Sequence, residues 1–201
     1  MKTTNLIFLL LVLNLTGSSV SSAQQAFSSE EIAQSLKPKS RTRGLVPAQM
    51  SPEDASFLEN MKHKTRGLTV EERSQVSTII EREGLSSIDL EINFAVDSAK
   101  LDPSSLDTLR KLGQALQNSE LSNSSFLVAG HTDVSGTSEH NQALSDQRAR
   151  TVKEFLVSNL NINPDRLLAV GYGREQLKNS NDPLSAENRR VKITNLGNSS
   201  N

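Results

Sequence analysis

The chain has no cysteine, which excludes disulfides, thiolate metal sites, cysteine nucleophiles and a lipid anchor through an N-terminal cysteine. If exported, it folds without covalent staples. Tryptophan is also absent and aromatic residues make up only 3% of the sequence, too few for a stacking platform that reads single-stranded nucleic acid or sugar rings. Binding is therefore expected to be polar. Neither charge predominates: 22 Lys and Arg against 23 Asp and Glu leave a net charge of −1, so no whole-protein field gathers nucleic acid or anionic lipid. Any charge recognition must be local. Nor is there an apolar run that could span a membrane. The longest, Leu6 to Leu13, falls well short of the ~20 residues a spanning helix needs.

That short run has another reading. Met1-Lys2 gives a positive start, the apolar stretch follows, and Ser21-Ser22-Ala23 supplies the small residues read by a signal peptidase. Residues 1–23 are expected to be a cleaved signal peptide and the mature protein periplasmic.

From Gln24 to about Ser87 the sequence is polar, with prolines at 38, 47 and 52. It reads as a tether, partly disordered, with local helices. Thr69 and Glu72 form a capping-box pattern ahead of Val76, Ile79 and Ile80, predicting a helix near 70–83 that ends at Gly84. The tract also holds an echo, Arg41-Thr42-Arg43-Gly44-Leu45 against Lys64-Thr65-Arg66-Gly67-Leu68. Two copies are too few for a solenoid.

From Ile88 the pattern becomes regular. Ile88, Leu90, Ile92 and Phe94 alternate with polar residues, as on a half-buried strand. Asp102-Pro103 then opens an amphipathic helix carrying Leu106, Leu109, Leu112 and Leu116. Phe126 to Ala129, ending in Gly130, reads as a strand buried on both faces. A second helix is predicted from about Glu139 to Leu160, with further strands at Leu167–Val170 and Val191–Ile193 and a fraying tail after Asn195. The order β-α-β-α-β-β implies an α+β fold: a mixed β-sheet with covering helices on one or both faces. Ligands gather beyond the carboxyl ends of strands in such sheets, which directs attention to the loop from Gly130 to Ser138.

On the second helix, Leu144, Ala149, Val152, Phe155 and Leu156 form one apolar stripe at helical spacing, and Arg148 falls inside it. An inward guanidinium should meet a carboxylate or open into a cleft, because burying it unpaired costs about 3 to 5 kcal/mol. Asp133 is the nearest candidate in sequence. Periodicity alone equally allows a permanent Asp133–Arg148 ion pair or a side chain that snorkels outward. His131, Asp133 and His140 lie close in sequence but match no metal-ligand spacing, and no nucleophile elbow occurs, so no enzyme, metal or cofactor is expected.

Phe94 with Asp97, then Gly130-His131-Thr132-Asp133, Gly136, Asn141, Leu144-Ser145, Arg148-Ala149, Asp165-Arg166, Gly171-Tyr172-Gly173 and Asn188-Arg189-Arg190-Val191 together resemble the OmpA-like domain family. The resemblance covers residues 88–194. It implies non-catalytic binding of peptidoglycan, with Asp133 and Arg148 clasping the diaminopimelate of the stem peptide and Thr132, Asn141, Asp97 and Arg189 beside them. For Asn141, capping the helix or bracing the loop is an equal alternative. This chain departs from many relatives in having Phe94-Ala95-Val96-Asp97 where they have Phe-Asp-Phe-Asp. The expected partner is peptidoglycan, with outer-membrane or other envelope proteins meeting the 24–87 tether; no nucleic acid is expected. A scaffold or adhesion module that binds another envelope protein through the same fold is the alternative.

Overall fold

The computed structural model describes residues 27–38, 50–64 and 67–198. The signal-peptide reading and the first Arg-Gly-Leu echo lie outside these residues. Four strands form one mixed sheet: β1 (Ser87–Leu90), β2 (Ser124–Gly130), β3 (Leu167–Gly171) and β4 (Val191–Asn198), in the order β1-β4-β2-β3. β4 runs antiparallel to β1 and β2, and β2 runs parallel to β3.

The alternation along each strand sends residues to two cores. Phe126, Val128, Leu167, Val191 and Ile193 face the first. It is covered by α1 (Ser29–Leu36), α4 (Leu106–Leu116) and α5 (Ser138–Leu160). Leu127, Ala129, Leu168, Val170 and Leu196 face the second, covered by α2 (Pro52–Lys62) and α3 (Val70–Glu83). Helices thus cover both faces. The chain order β1, α4, β2, α5, β3, β4 is the β-α-β-α-β-β order expected of the sequence.

The N-terminal region differs from its reading as a tether. α1 buries Ile32 and Leu36 completely in the same cluster as Leu109, Leu116 and Phe126. Ser28 caps it reciprocally: the Ser28 hydroxyl accepts from the Glu31 amide at 3.2 Å, and the Ser28 amide donates to the Glu31 carboxylate at 2.8 Å. α3 spans the predicted helix, with the Thr69–Glu72 capping box and Gly84 left-handed at φ 56°. Leu58, Met61, Val76 and Ile79 press on the outer sheet face. The physical reason is that β2 and β3 are apolar on both sides, so the outer face needs a cover.

Two other expectations are corrected. The first strand stops at Leu90, because its partner β4 begins at Val191 opposite it; Phe94 only bridges to Leu101. The tail expected to fray after Asn195 is the second half of β4, which pairs with β2 as far as Asn198. Asn195 is buried, and its amide side chain donates to the Leu36 carbonyl at 2.8 Å, tying the end of the sheet to α1.

Candidate functional site

The parallel strands β2 and β3 end side by side, Gly130 opposite Gly171. Both glycines exist because α5 lies directly on the strand ends. A Cβ at Gly130 would stand 2.4 Å from the Ser145 carbonyl oxygen, and one at Gly171 would stand 2.3 Å from the Asp146 amide nitrogen. Polar bonds fix this approach: Asp146 accepts from the Gly171 amide at 2.6 Å, and the Ser145 hydroxyl accepts from the Gly173 amide at 2.8 Å. The chains leaving β2 and β3 are joined in turn, as the Thr132 amide donates to the Gly173 carbonyl at 2.8 Å.

Asp133 sits in this loop with only 6% of its surface exposed. One carboxylate oxygen accepts from the Ser135 amide at 2.9 Å and from the Ser135 hydroxyl. The other accepts from Arg189 Nη1 at 2.8 Å. Burial alone would push its pKa up, but the hydrogen bonds from Ser135 and Arg189 outweigh it and hold the carboxyl below its ordinary value. It is an anion held ready.

Arg148 is half-buried on α5, as its phase implies. Its Nε donates to the Ser98 carbonyl at 2.9 Å, and its guanidinium carbon lies 4.9 Å from the centre of the Phe94 ring. Burial lowers its pKa; Asp97 and Asp133 pull the other way, and Arg189 adds to the lowering. These groups are therefore near neighbours. Yet Arg148 forms no ion pair among the described residues. The Asp133–Arg148 ion pair that periodicity allowed is not formed: Arg189 takes the carboxylate, and Arg148 turns to a backbone carbonyl and a ring.

The remaining candidates divide into two kinds. Thr132 and Asn141 are buried and brace the loop: the Thr132 hydroxyl donates to the Asp133 carbonyl at 2.9 Å, and the Asn141 amide donates to the Ser135 carbonyl at 2.6 Å. Asp97 and Arg189 are open to solvent at the rim. Asp97 adopts φ 50°, and its carboxylate lies 2.6 Å from His140 Nε2 on the first turn of α5. His131 is directed elsewhere, under α3. It stacks on Tyr172 with ring centres 5.5 Å apart and 12° between planes, and burial, reinforced by Arg190, drives its pKa down to about 3. Among the described residues no three of His, Asp and Glu gather as a metal cluster.

Sequence reasoning missed Ser98, Ser135 and the role of Asn188. Ser98 acts through its backbone carbonyl, so its residue type carries no signal. Ser135, two residues after Asp133, had one, since short polar residues commonly close such turns. Asn188 is fully buried and donates to the carbonyls of Asn179, Asp182 and Pro183 at 3.2, 3.0 and 3.1 Å. It shapes the loop that delivers Arg189 to Asp133.

Among known proteins, the model of the OmpA family matches residues 93–190. Outer membrane porin F of Pseudomonas fluorescens is 36% identical over 109 residues, which are 53% of this chain and 32% of that protein. The peptidoglycan-associated lipoprotein of Pseudomonas aeruginosa is 35% identical over 102 residues, covering 50% of this chain and 58% of that one. The crystal structure of the peptidoglycan-associated lipoprotein from Burkholderia pseudomallei aligns with 54% of this chain and 88% of its own, at 28% identity and a TM-score of 0.43. The chain thus spans between 32% and 58% of the length of these two curated relatives. Among the described residues no helix is long and apolar enough to cross a membrane. Residues 93–190, which carry Asp133 and Arg148, are thus the stretch of this chain that matches the OmpA family.

Proposed function

We propose that this protein is a non-catalytic cell-wall-binding module of the bacterial periplasm, and that its cleft holds the diaminopimelate of a peptidoglycan stem peptide. The observation that carries the reading is Arg148. Its Nε is tied to Ser98 and its flat face rests on Phe94, which leaves a half-buried guanidinium without an anionic partner in the same cleft as a buried, ionised Asp133. A diaminopimelate side chain ends in a zwitterionic amino-acid centre. Arg148 suits its carboxylate through paired N–H donors, and Asp133 suits its ammonium. The ligand ammonium would compete with Arg189 for one Asp133 oxygen, so carboxylate capture comes first and the ammonium follows. Thr132, Asn141 and Ser135 keep the loop in shape, while Asp97 and Arg189 flank the entrance.

The names of the relatives support the same reading, since a peptidoglycan-associated lipoprotein is among them. Single contacts of this kind are modest, and a polymer with many stem peptides raises retention through repeated sites. The experiment is co-sedimentation with insoluble sacculi, together with titration of a diaminopimelate stem peptide against a lysine-containing one. Asp133→Ala and Arg148→Ala should each weaken binding by about 2 to 5 kcal/mol, the cost of leaving one charge of a desolvated pair unmatched. Circular-dichroism melts should find both variants folded. Undiminished sedimentation of both would remove the proposed site.

A further inference from the structure

Beside the cleft lies a second depression. β1 is the edge strand of the sheet. Its end, the first turns of α4 and the loop before β4 enclose a groove of about 540 Å³. Arg189 lines this groove and also bonds Asp133, so the groove and the cleft share a wall. Four of its lining residues, Phe27, Asp89, Leu90 and Glu91, precede residue 93, where the family match begins.

The chemistry of the lining narrows its occupant. Phe27 is 43% exposed, the only aromatic among the large apolar side chains exposed in the described residues. It is held at the lip because the capping box of Ser28 and Glu31 follows it and Ile32 anchors α1 in the core. Lys178 and Arg190 lie 3.7 and 2.9 Å from the Asp89 carboxylate and share it. Glu91 and Glu187 form no ion pair among the described residues, and Asn93 and Thr108 add polar groups. Three carboxylates, Asp89, Glu91 and Glu187, face three cations, Lys178, Arg189 and Arg190, and Arg189 is already bonded to Asp133, so the lining holds no excess positive charge for a polyanion. An aromatic face with hydrogen-bond acceptors around it suits a neutral ligand that has C–H faces and many hydroxyls. The size falls within the roughly 300 to 1,000 Å³ of small-molecule sites.

We propose that this groove is a second subsite, which takes the amino-sugar unit bonded to the stem peptide. The inference rests on the stem-peptide reading of the neighbouring cleft and extends it. A sugar joined covalently to a peptide in the cleft reaches the groove as an intramolecular event, so even a weak contact adds to affinity. Sequence composition pointed away from aromatic sugar recognition, and one well-placed phenylalanine is enough to reopen it.

The test is calorimetry on the full chain with two ligands, the free diaminopimelate stem peptide and the same peptide bearing its disaccharide. The sugar-bearing ligand should bind about fivefold or more tightly. Phe27→Ala and Thr108→Trp, the second a filling of the groove, should abolish that difference and leave the affinity for free peptide unchanged. Equal binding of both ligands by the parent protein, or a difference that survives in both variants, overturns the proposal. A separate arm needs no peptide: free disaccharide added to the Asp133→Ala variant should shift the backbone amide signals of Phe27 and Thr108. Shifts there, together with no binding of the free peptide by the parent protein, would refute the stem-peptide reading and keep the sugar site. No shift, with free-peptide binding by the parent protein intact, would do the reverse.

Discussion

Replacing His131 by phenylalanine should change how stability depends on pH. The buried imidazole titrates at about 3 in the folded protein against an ordinary value of 6.5, chiefly because burial disfavours its charged form and secondarily because Arg190 repels it. Unfolding restores the ordinary value, so between about pH 6.5 and pH 3 the unfolded chain binds the extra proton. Stability from this group is complete above pH 6.5 and drains away as the pH falls through that window. From pH 6.5 to pH 5 the loss is about 2 kcal/mol, at roughly 1.4 kcal/mol per unit. Phenylalanine keeps a ring to stack on Tyr172 and cannot titrate. Urea unfolding of both proteins at pH 7, 6 and 5 gives the comparison; His63 and His140 are present in both and cancel. The gap between parent and variant should move by about 2 kcal/mol between pH 7 and pH 5, against the parent. Parallel pH dependences would refute the burial argument, whatever the variant's absolute stability.

Gly171→Ala forces a methyl group to within 2.3 Å of the Asp146 backbone nitrogen, a rigid neighbour that cannot rotate away. It should cost about 1 to 3 kcal/mol in urea unfolding and, because α5 carries Arg148, weaken sedimentation with sacculi as well. Ile32→Ala removes a fully buried side chain from a helix that precedes the family match. A loss of about 2 to 5 kcal/mol is expected if α1 is part of the core; a change under about 0.5 kcal/mol would return α1 to the status of a tether.

The legible part of the fold was the part governed by periodicity. Alternation and apolar runs located β2 and β3, the leucine spacing located α4, and the capping box at Thr69 located α3. The docking of α1 was harder to see, because eight residues hold only Ile32, Ala33 and Leu36 as apolar contacts and the surface they meet is supplied by distant strands. One local sign was present: Ser28 and Glu31 repeat the capping pattern recognised at Thr69 and Glu72. In the site, helical phase directed Arg148 inward, but it could not choose its partner. That choice depends on where a backbone carbonyl from residue 98 and a guanidinium from residue 189 arrive, and neither position is written in local sequence.

The strand order carries a consequence for how this chain comes to be folded. β4, made last, lies between β1, made first, and β2. Without it β1 has no neighbour in the sheet, and the Asn195 side chain that secures α1 across 159 positions is missing. Arg189, just ahead of β4, arrives equally late at Asp133. The sheet and the surroundings of Asp133 are therefore completed together, by residues 189–198. A copy cut short before Arg189 would have neither a closed sheet nor the guanidinium that holds Asp133.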